Sequence, residues 1–181
     1  MATDGGAHAG QIAVVTGAAQ GLGFGIAQHL AQGGAQVVMV DLQDEKVTAA
    51  AAELVAAGGQ ARGVCADVTC SEQVKELFRD VVQQDGKIDV LVNNAGLGQD
   101  VAAITELSDE HWQQVIDVTL TGTFFCCRSA GRWMRRQESG AIVNISSING
   151  VNPAALVAAY NVAKSGVISL TRTLALELAA Y

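Results

Sequence analysis

Apolar residues in this chain come in short β-branched runs, separated by longer stretches in which they recur every three or four positions. The runs IAVVT at 12–16, QVVMVD at 36–41, ARGVCAD at 61–67, IDVLVNN at 88–94 and GAIVNISS at 140–147 predict five strands. Between them Leu22–Gln32, Asp44–Ala57, Ser71–Gln84 and Asp109–Gln137 are rich in Ala, Leu, Glu and Gln and predict helices. A last helix is predicted from Ala159 to Ala180. Nearly continuous apolar strands alternating with helices give an α/β fold, a doubly wound parallel sheet covered on both faces. Right-handed crossovers make the expected strand order 3-2-1-4-5. The run Ala49–Ala52 keeps helical register and reads as plain solvent-exposed helix surface.

Composition narrows the class. Half of the 181 residues are hydrophobic, enough for a sizeable core. Residues 1–10, MATDGGAHAG, carry neither a basic run nor an apolar core and read as a flexible leader, which leaves 11–181 as one domain. Eleven basic against 18 acidic side chains give a formal charge of -7, which argues against nucleic acid or an anionic membrane as the main partner. No apolar stretch reaches the length of a membrane span, and a cytoplasmic protein is expected. Cys65, Cys70, Cys126 and Cys127 form no CxxC pair and read as reduced core thiols. His8, His29 and His111 lack ligand spacing, so no metal site is expected. The sequon at Asn144-Ile145-Ser146 falls in an expected buried strand and is discounted as a glycosylation site.

Gly17, Gly21 and Gly23 follow the first strand directly and open a helix, in the segment TGAAQGLG at 16–23. Missing Cβ atoms permit the tight turn and let backbone N–H groups and the helix N-terminus face a pyrophosphate. Asp41 closes the second strand, where a carboxylate can accept both hydroxyls of an adenosine ribose. A 2′-phosphate would set two anions together there, and no Lys or Arg occurs between Ala18 and Gln43 to compensate. NAD is therefore expected ahead of NADP.

Tyr160 and Lys164 stand four residues apart at the start of the last helix, on one face. A cation beside a tyrosine favours its ionised form and makes it a usable acid and base. Ser147, at the end of the fifth strand, can donate a hydrogen bond to the same substrate oxygen. With the glycine loop upstream, this set points to hydride transfer between a nicotinamide and a carbonyl or alcohol.

Taken together, TGAAQGLG, Asp41, the Asp67-Val68 pair, NNAG at 93–96, VNISS at 143–147 and YNVAK at 160–164 resemble the classical short-chain dehydrogenases/reductases, over nearly all the chain after the leader. The resemblance implies a Rossmann fold. It also implies a cofactor site of Gly17, Gln20, Gly21, Leu22, Gly23, Asp41, Asp67, Val68, Asn94, Ala95 and Gly96, completed by Tyr160 and Lys164. Asp67 and Val68 would contact adenine, Asn93 to Gly96 would line the cofactor and steady the sheet, and Lys164 would also bind the nicotinamide ribose. Ser147, Asn149 and Tyr160 would meet the substrate, with Leu97, Val151 and Leu156 at its border. The long helices at 109–137 and 159–180 are those the family packs into homodimers and homotetramers.

The chain departs from the pattern twice. The segment DVTLTGTFF carries Thr119 where the family usually has an Asn that keeps a relay water and kinks the helix, which predicts a slower enzyme unless Asn149 or Asn161 fills that role. The family also continues with another strand, a Pro-Gly cofactor loop, a covering helical segment and a final strand, so the chain reads as a fragment. A rival reading, motivated by both departures, is a cofactor-binding module with little or no turnover.

Overall fold

The structure is a computed structural model that describes residues 6–98 and 100–181. Its strands are β1 (Ile12–Thr16), β2 (Gln36–Asp41), β3 (Gln60–Cys65), β4 (Val90–Asn93) and β5 (Ala141–Asn144). All pair in parallel in the order β3-β2-β1-β4-β5, as the alternation of strands and helices predicts. The first two match their sequence-based bounds, because uninterrupted β-branched runs leave no doubt where pairing stops. β5 is shorter than expected, since β4 offers only Val90 to Asn93 as partners.

Helices α1 (Gly21–Gln32), α2 (Asp44–Ala56), α3 (Ser71–Asp85), α4 (Asp109–Ile116), α5 (Gly122–Gln137) and α6 (Ala158–Leu178) flank the sheet. Alternate strand residues feed its two faces. Val14, Val38 and Leu91 pack with Phe78 and Val81 of α3 and Met134 of α5, while Ala13, Val15, Val37 and Met39 pack with Ala27 of α1 and Leu54 of α2. A smaller cluster joins Val115 of α4 to Ala159 and Ala163 of α6, with Leu97 and Tyr160 against it. This third cluster sits beside the C-terminal strand ends, so it positions chemistry as well as packing.

Four expectations need correction. The single helix expected over Asp109–Gln137 is broken by a π-helical turn at Asp117–Thr121, where the buried Thr119 hydroxyl engages the loop after β4. Ala50 and Ala51 are buried against the sheet, so only Ala49 and Ala52 of that run are solvent-exposed. β5, expected to be buried, is the last strand of the sheet among the described residues, with Val143 48% exposed. Cys126 and Cys127 are core thiols, which burial pushes up to about 12 and about 11, but Cys65 is exposed and Cys70 half-buried. All four cysteines are free. Within the segment expected as a leader, the His8 N–H donates to the Gly33 carbonyl at 2.8 Å, and its ring pairs with Gln11.

Candidate active site

The loop between β1 and α1 is shaped by atoms it lacks. Gly17 has φ +63°, and an added Cβ there would come 2.9 Å from the Ala95 Cα; at Gly23 it would collide with the Gly17 carbonyl. Gly21, at φ +59°, lets the chain turn into α1. Gln20 precedes the helix in extended conformation and its side chain makes no capping bond, leaving the first-turn N–H groups available to an anion. Asn94 braces the loop from β4: its amide donates to the Thr16 and Gly17 carbonyls at 3.1 and 3.0 Å, and its N–H donates to the Thr16 hydroxyl. Ala95 N–H donates to the same hydroxyl.

Asp41 lies across this loop. One carboxylate oxygen accepts the Ala19 N–H and the other the Gln43 N–H, both at 3.1 Å, so the group is oriented by the backbone on each side. Lys46 lies just outside the interval read for cations, and it shares a hollow with Ala19, Gln20 and the carboxylate-bearing Glu53. A cleft of about 590 Å³ runs over the C-terminal strand ends. It collects Gly17, Gln20, Gly21, Asp41, Asp67, Val68, Asn94, Ala95 and Gly96, all expected at a cofactor. Gln114 and Val118 also line it, and no motif marked them. They belong to the α4 region, which comes over the cleft only through the packing of the third cluster. Leu22 is exposed on the first turn of α1.

Beside Gly96, which lines the cleft, stands Lys164. Its ammonium donates to the Ile145 carbonyl at 2.7 Å and lies 5.7 Å from the centroid of the Tyr160 ring. A Cβ on Gly96 would be 3.5 Å from that nitrogen and 3.7 Å from the Thr119 hydroxyl, so Lys164 and Thr119 both border Gly96. Burial pulls the Lys164 pKa below the usual lysine value, while the carbonyl supports the charged form. Ser146 donates to the Lys164 carbonyl at 2.9 Å, which ties the end of the β5 segment to α6. The Ser147 hydroxyl accepts the Asn149 N–H at 3.2 Å and keeps its proton for another acceptor.

Other assignments take new forms. Asn93 is buried beneath the cleft, where its amide donates to the Asn144 side chain at 2.8 Å and to the Cys127 sulfur at 3.3 Å. It steadies the β4 and β5 pair. Asn144 in turn donates to the Thr171 hydroxyl of α6 at 2.9 Å, so the sequon amide is already engaged. Thr119 accepts the Leu97 N–H at 3.0 Å, and its carbonyl accepts from Thr123 at 2.8 Å. Asn161, weighed as a substitute for the relay, has its amide committed at both ends to Ala154. A nucleotide therefore fits the glycine cradle and the oriented Asp41, and the lysine stands beside Gly96 of the cleft wall.

The family profile described as short chain dehydrogenase matches residues 11–181. A 3-oxoacyl-[acyl-carrier-protein] reductase of Synechocystis is 41% identical over 170 residues, covering 93% of this chain and 68% of that protein. A crystal structure of NAD+-bound xylitol dehydrogenase superposes with a TM-score of 0.93 at 35% identity, covering 96% of this chain and 66% of the other. A metagenomic short-chain oxidoreductase in complex with NADP gives 0.90 at 38% identity, covering 94% and 77%. The chain spans about two thirds of the length of the first two.

Proposed function

The chain belongs to the short-chain dehydrogenase family, and on that premise we propose that it is an NAD-dependent oxidoreductase interconverting a secondary alcohol and a ketone. The observation that carries the proposal is that Lys164 borders both the Tyr160 ring and Gly96, a residue lining the glycine-built cleft. Gly17, Gly21 and the uncapped start of α1 would hold the pyrophosphate, Asp41 the adenosine ribose, and Asp67 and Val68 the adenine. A bound nicotinamide supplies or accepts the hydride.

The chain's own residues handle the proton. Ser147 donates to the substrate oxygen and orients it. Tyr160 protonates that oxygen in reduction and takes the proton back in oxidation. Lys164, charged and fixed on Ile145, stabilises the ionised tyrosine and binds the nicotinamide ribose. Thr119 holds the Leu97 N–H and with it the loop carrying Gly96.

The preference for NAD rests on the placement of Asp41: both its oxygens face backbone donors, and a 2′-phosphate would meet that charge at short range. The relatives compared above include one NAD+ complex and one NADP complex, so the assignment belongs to this chain's own residues. A small-molecule carbonyl or alcohol substrate, a cytoplasmic location and assembly into a homodimer or homotetramer complete the proposal. Incubated with NADH and a ketone, the full-length protein should consume the near-ultraviolet absorbance of NADH in step with alcohol formation. Tight NADH binding without such consumption across a broad ketone panel would favour the cofactor-binding module instead.

A further inference from the structure

Two neighbouring pairs of side chains leave α6 at the same spacing. Tyr160 and Lys164 form the pair directed to the chemistry. Asn161 and Ser165, each one residue later, form a second pair about 100° around the helix. The Asn161 amide donates to the Ala154 carbonyl at 2.7 Å and its oxygen accepts the Ala154 N–H at 3.4 Å. The Ser165 hydroxyl donates to the Gly150 carbonyl at 2.8 Å. The strip Gly150–Leu156 is thus fastened at Gly150 and at Ala154 to the helix turn that carries the tyrosine and lysine. Gly150 leaves no slack, since a Cβ there would come 2.8 Å from the Lys164 carbonyl.

The strip also reaches the opposite rim. Leu156 adopts φ +67°, rare for a β-carbon-bearing residue, and its carbonyl accepts the Ala102 N–H at 3.0 Å from the loop after β4. The two segments so joined expose Val101, Ile104, Val151 and Leu156. Neither carries a cation: no Lys or Arg occurs between Lys87 and Arg128, or between Arg136 and Lys164. Asp100 and Glu106 are the charges on the loop from Leu97 to Ser108. An anionic substrate group would find acid on one of these two segments and hydrocarbon on the other.

We propose that the strip Gly150–Leu156, held by Asn161 and Ser165, is the selective wall of this site and admits an uncharged, apolar alcohol or ketone rather than a carboxylate- or phosphate-bearing one. Asn161 and Ser165 are positioning residues. They act by fixing the wall relative to Tyr160, and the inference rests on the oxidoreductase reading above.

The test titrates two ketones, neutral 4-phenyl-2-butanone and anionic 4-oxopentanoate, into the NADH-loaded full-length protein, followed by NADH fluorescence. The Tyr160→Phe background keeps turnover from consuming the complex. The neutral ketone should bind at least about 10-fold more tightly, because the anion loses hydration against an acidic loop and an apolar strip. Adding Asn161→Ala, which removes two hydrogen bonds, should weaken the neutral ketone by about 10-fold and leave NADH affinity unchanged. It should also speed hydrogen exchange at the Ala154 amide, a change read without any substrate. Asn161→Asp, which can still accept the Ala154 N–H, should restore part of that protection. Equal or tighter binding of 4-oxopentanoate, failure of either ketone to bind, or unchanged ketone affinity in the Asn161→Ala protein would overturn the proposal. Failure of NADH itself to bind would instead overturn the oxidoreductase reading.

Discussion

The two ends of the cleft are built by different means. At the nucleotide end, β1 and β2 lie inside the sheet, and the groups that would meet a ligand are backbone amides, glycines and one carboxylate held by backbone donors. At the chemical end, Lys164 and the helix that carries it are placed by contacts from the segment after β5. A cradle made from backbone is local and rigid. A catalytic pair on a helix depends on the packing that aims the helix.

Disruption at the chemical end should produce the largest loss. Lys164→Ala removes the charge beside Tyr160 and a cofactor contact together, and turnover should fall on the order of 10³-fold with weakened NADH binding, measured by initial rates and titration. A normal rate would detach the lysine from the chemistry. The same group sets a pH limit. Because burial holds its pKa down, Lys164 loses its charge before a free lysine would, and turnover should decline on the alkaline side below ~10.4. Stability has the opposite sign: the folded form binds this proton more weakly than the unfolded chain, so this group's contribution improves as pH rises towards that value.

At the nucleotide end the sharpest break is Gly17→Val. It places a β-branched residue at φ +63° and against Ala95, so NADH affinity should drop by about 10²-fold. Unaltered affinity in a folded variant would remove the loop from the site. Asp41→Ala is subtler. It deletes the charge that opposes a 2′-phosphate while Lys46 stays nearby, and the ratio of NADPH to NADH dissociation constants should narrow by about 10-fold. Equal affinities in the unmodified protein would defeat the coenzyme assignment. The smallest effect is expected at Thr119, where Asn would preserve an acceptor for Leu97 and add an amide in a fully buried place. Turnover of Thr119→Asn should rise by about two- to threefold if a relay is limiting, and fall if Thr119 is the fitted residue, as rates at neutral and lower pH will tell.

The same contrast explains what the sequence made legible. The bounds of β1 and β2, the strand order and the glycine loop follow from local patterns: β-branched runs, a turn that only Gly tolerates, an acid at a strand end. The resemblance also marked Tyr160 and Lys164. The π-helical turn at Asp117–Thr121 was not legible, because its residues carry ordinary helical periodicity and the wide turn coincides with a long-range bond from Leu97 to Thr119. Gln114 and Val118 escaped notice for the same reason. Cys65 was misplaced because its strand looked apolar enough to be buried, while it lies at the opposite edge, β3. Asn161 looked like a spare amide near the chemistry; only the path of the strip through Ala154 reveals its use.

The most direct test of the account compares Tyr160→Phe with the unmodified full-length protein, measuring turnover with NADH and a ketone alongside the NADH dissociation constant. Removing the hydroxyl keeps the ring that packs in the α4 and α6 cluster, so turnover should fall by about 10²-fold or more while NADH affinity stays within about twofold. Near-normal turnover in the Phe variant would contradict the account, because no proton would then pass through Tyr160.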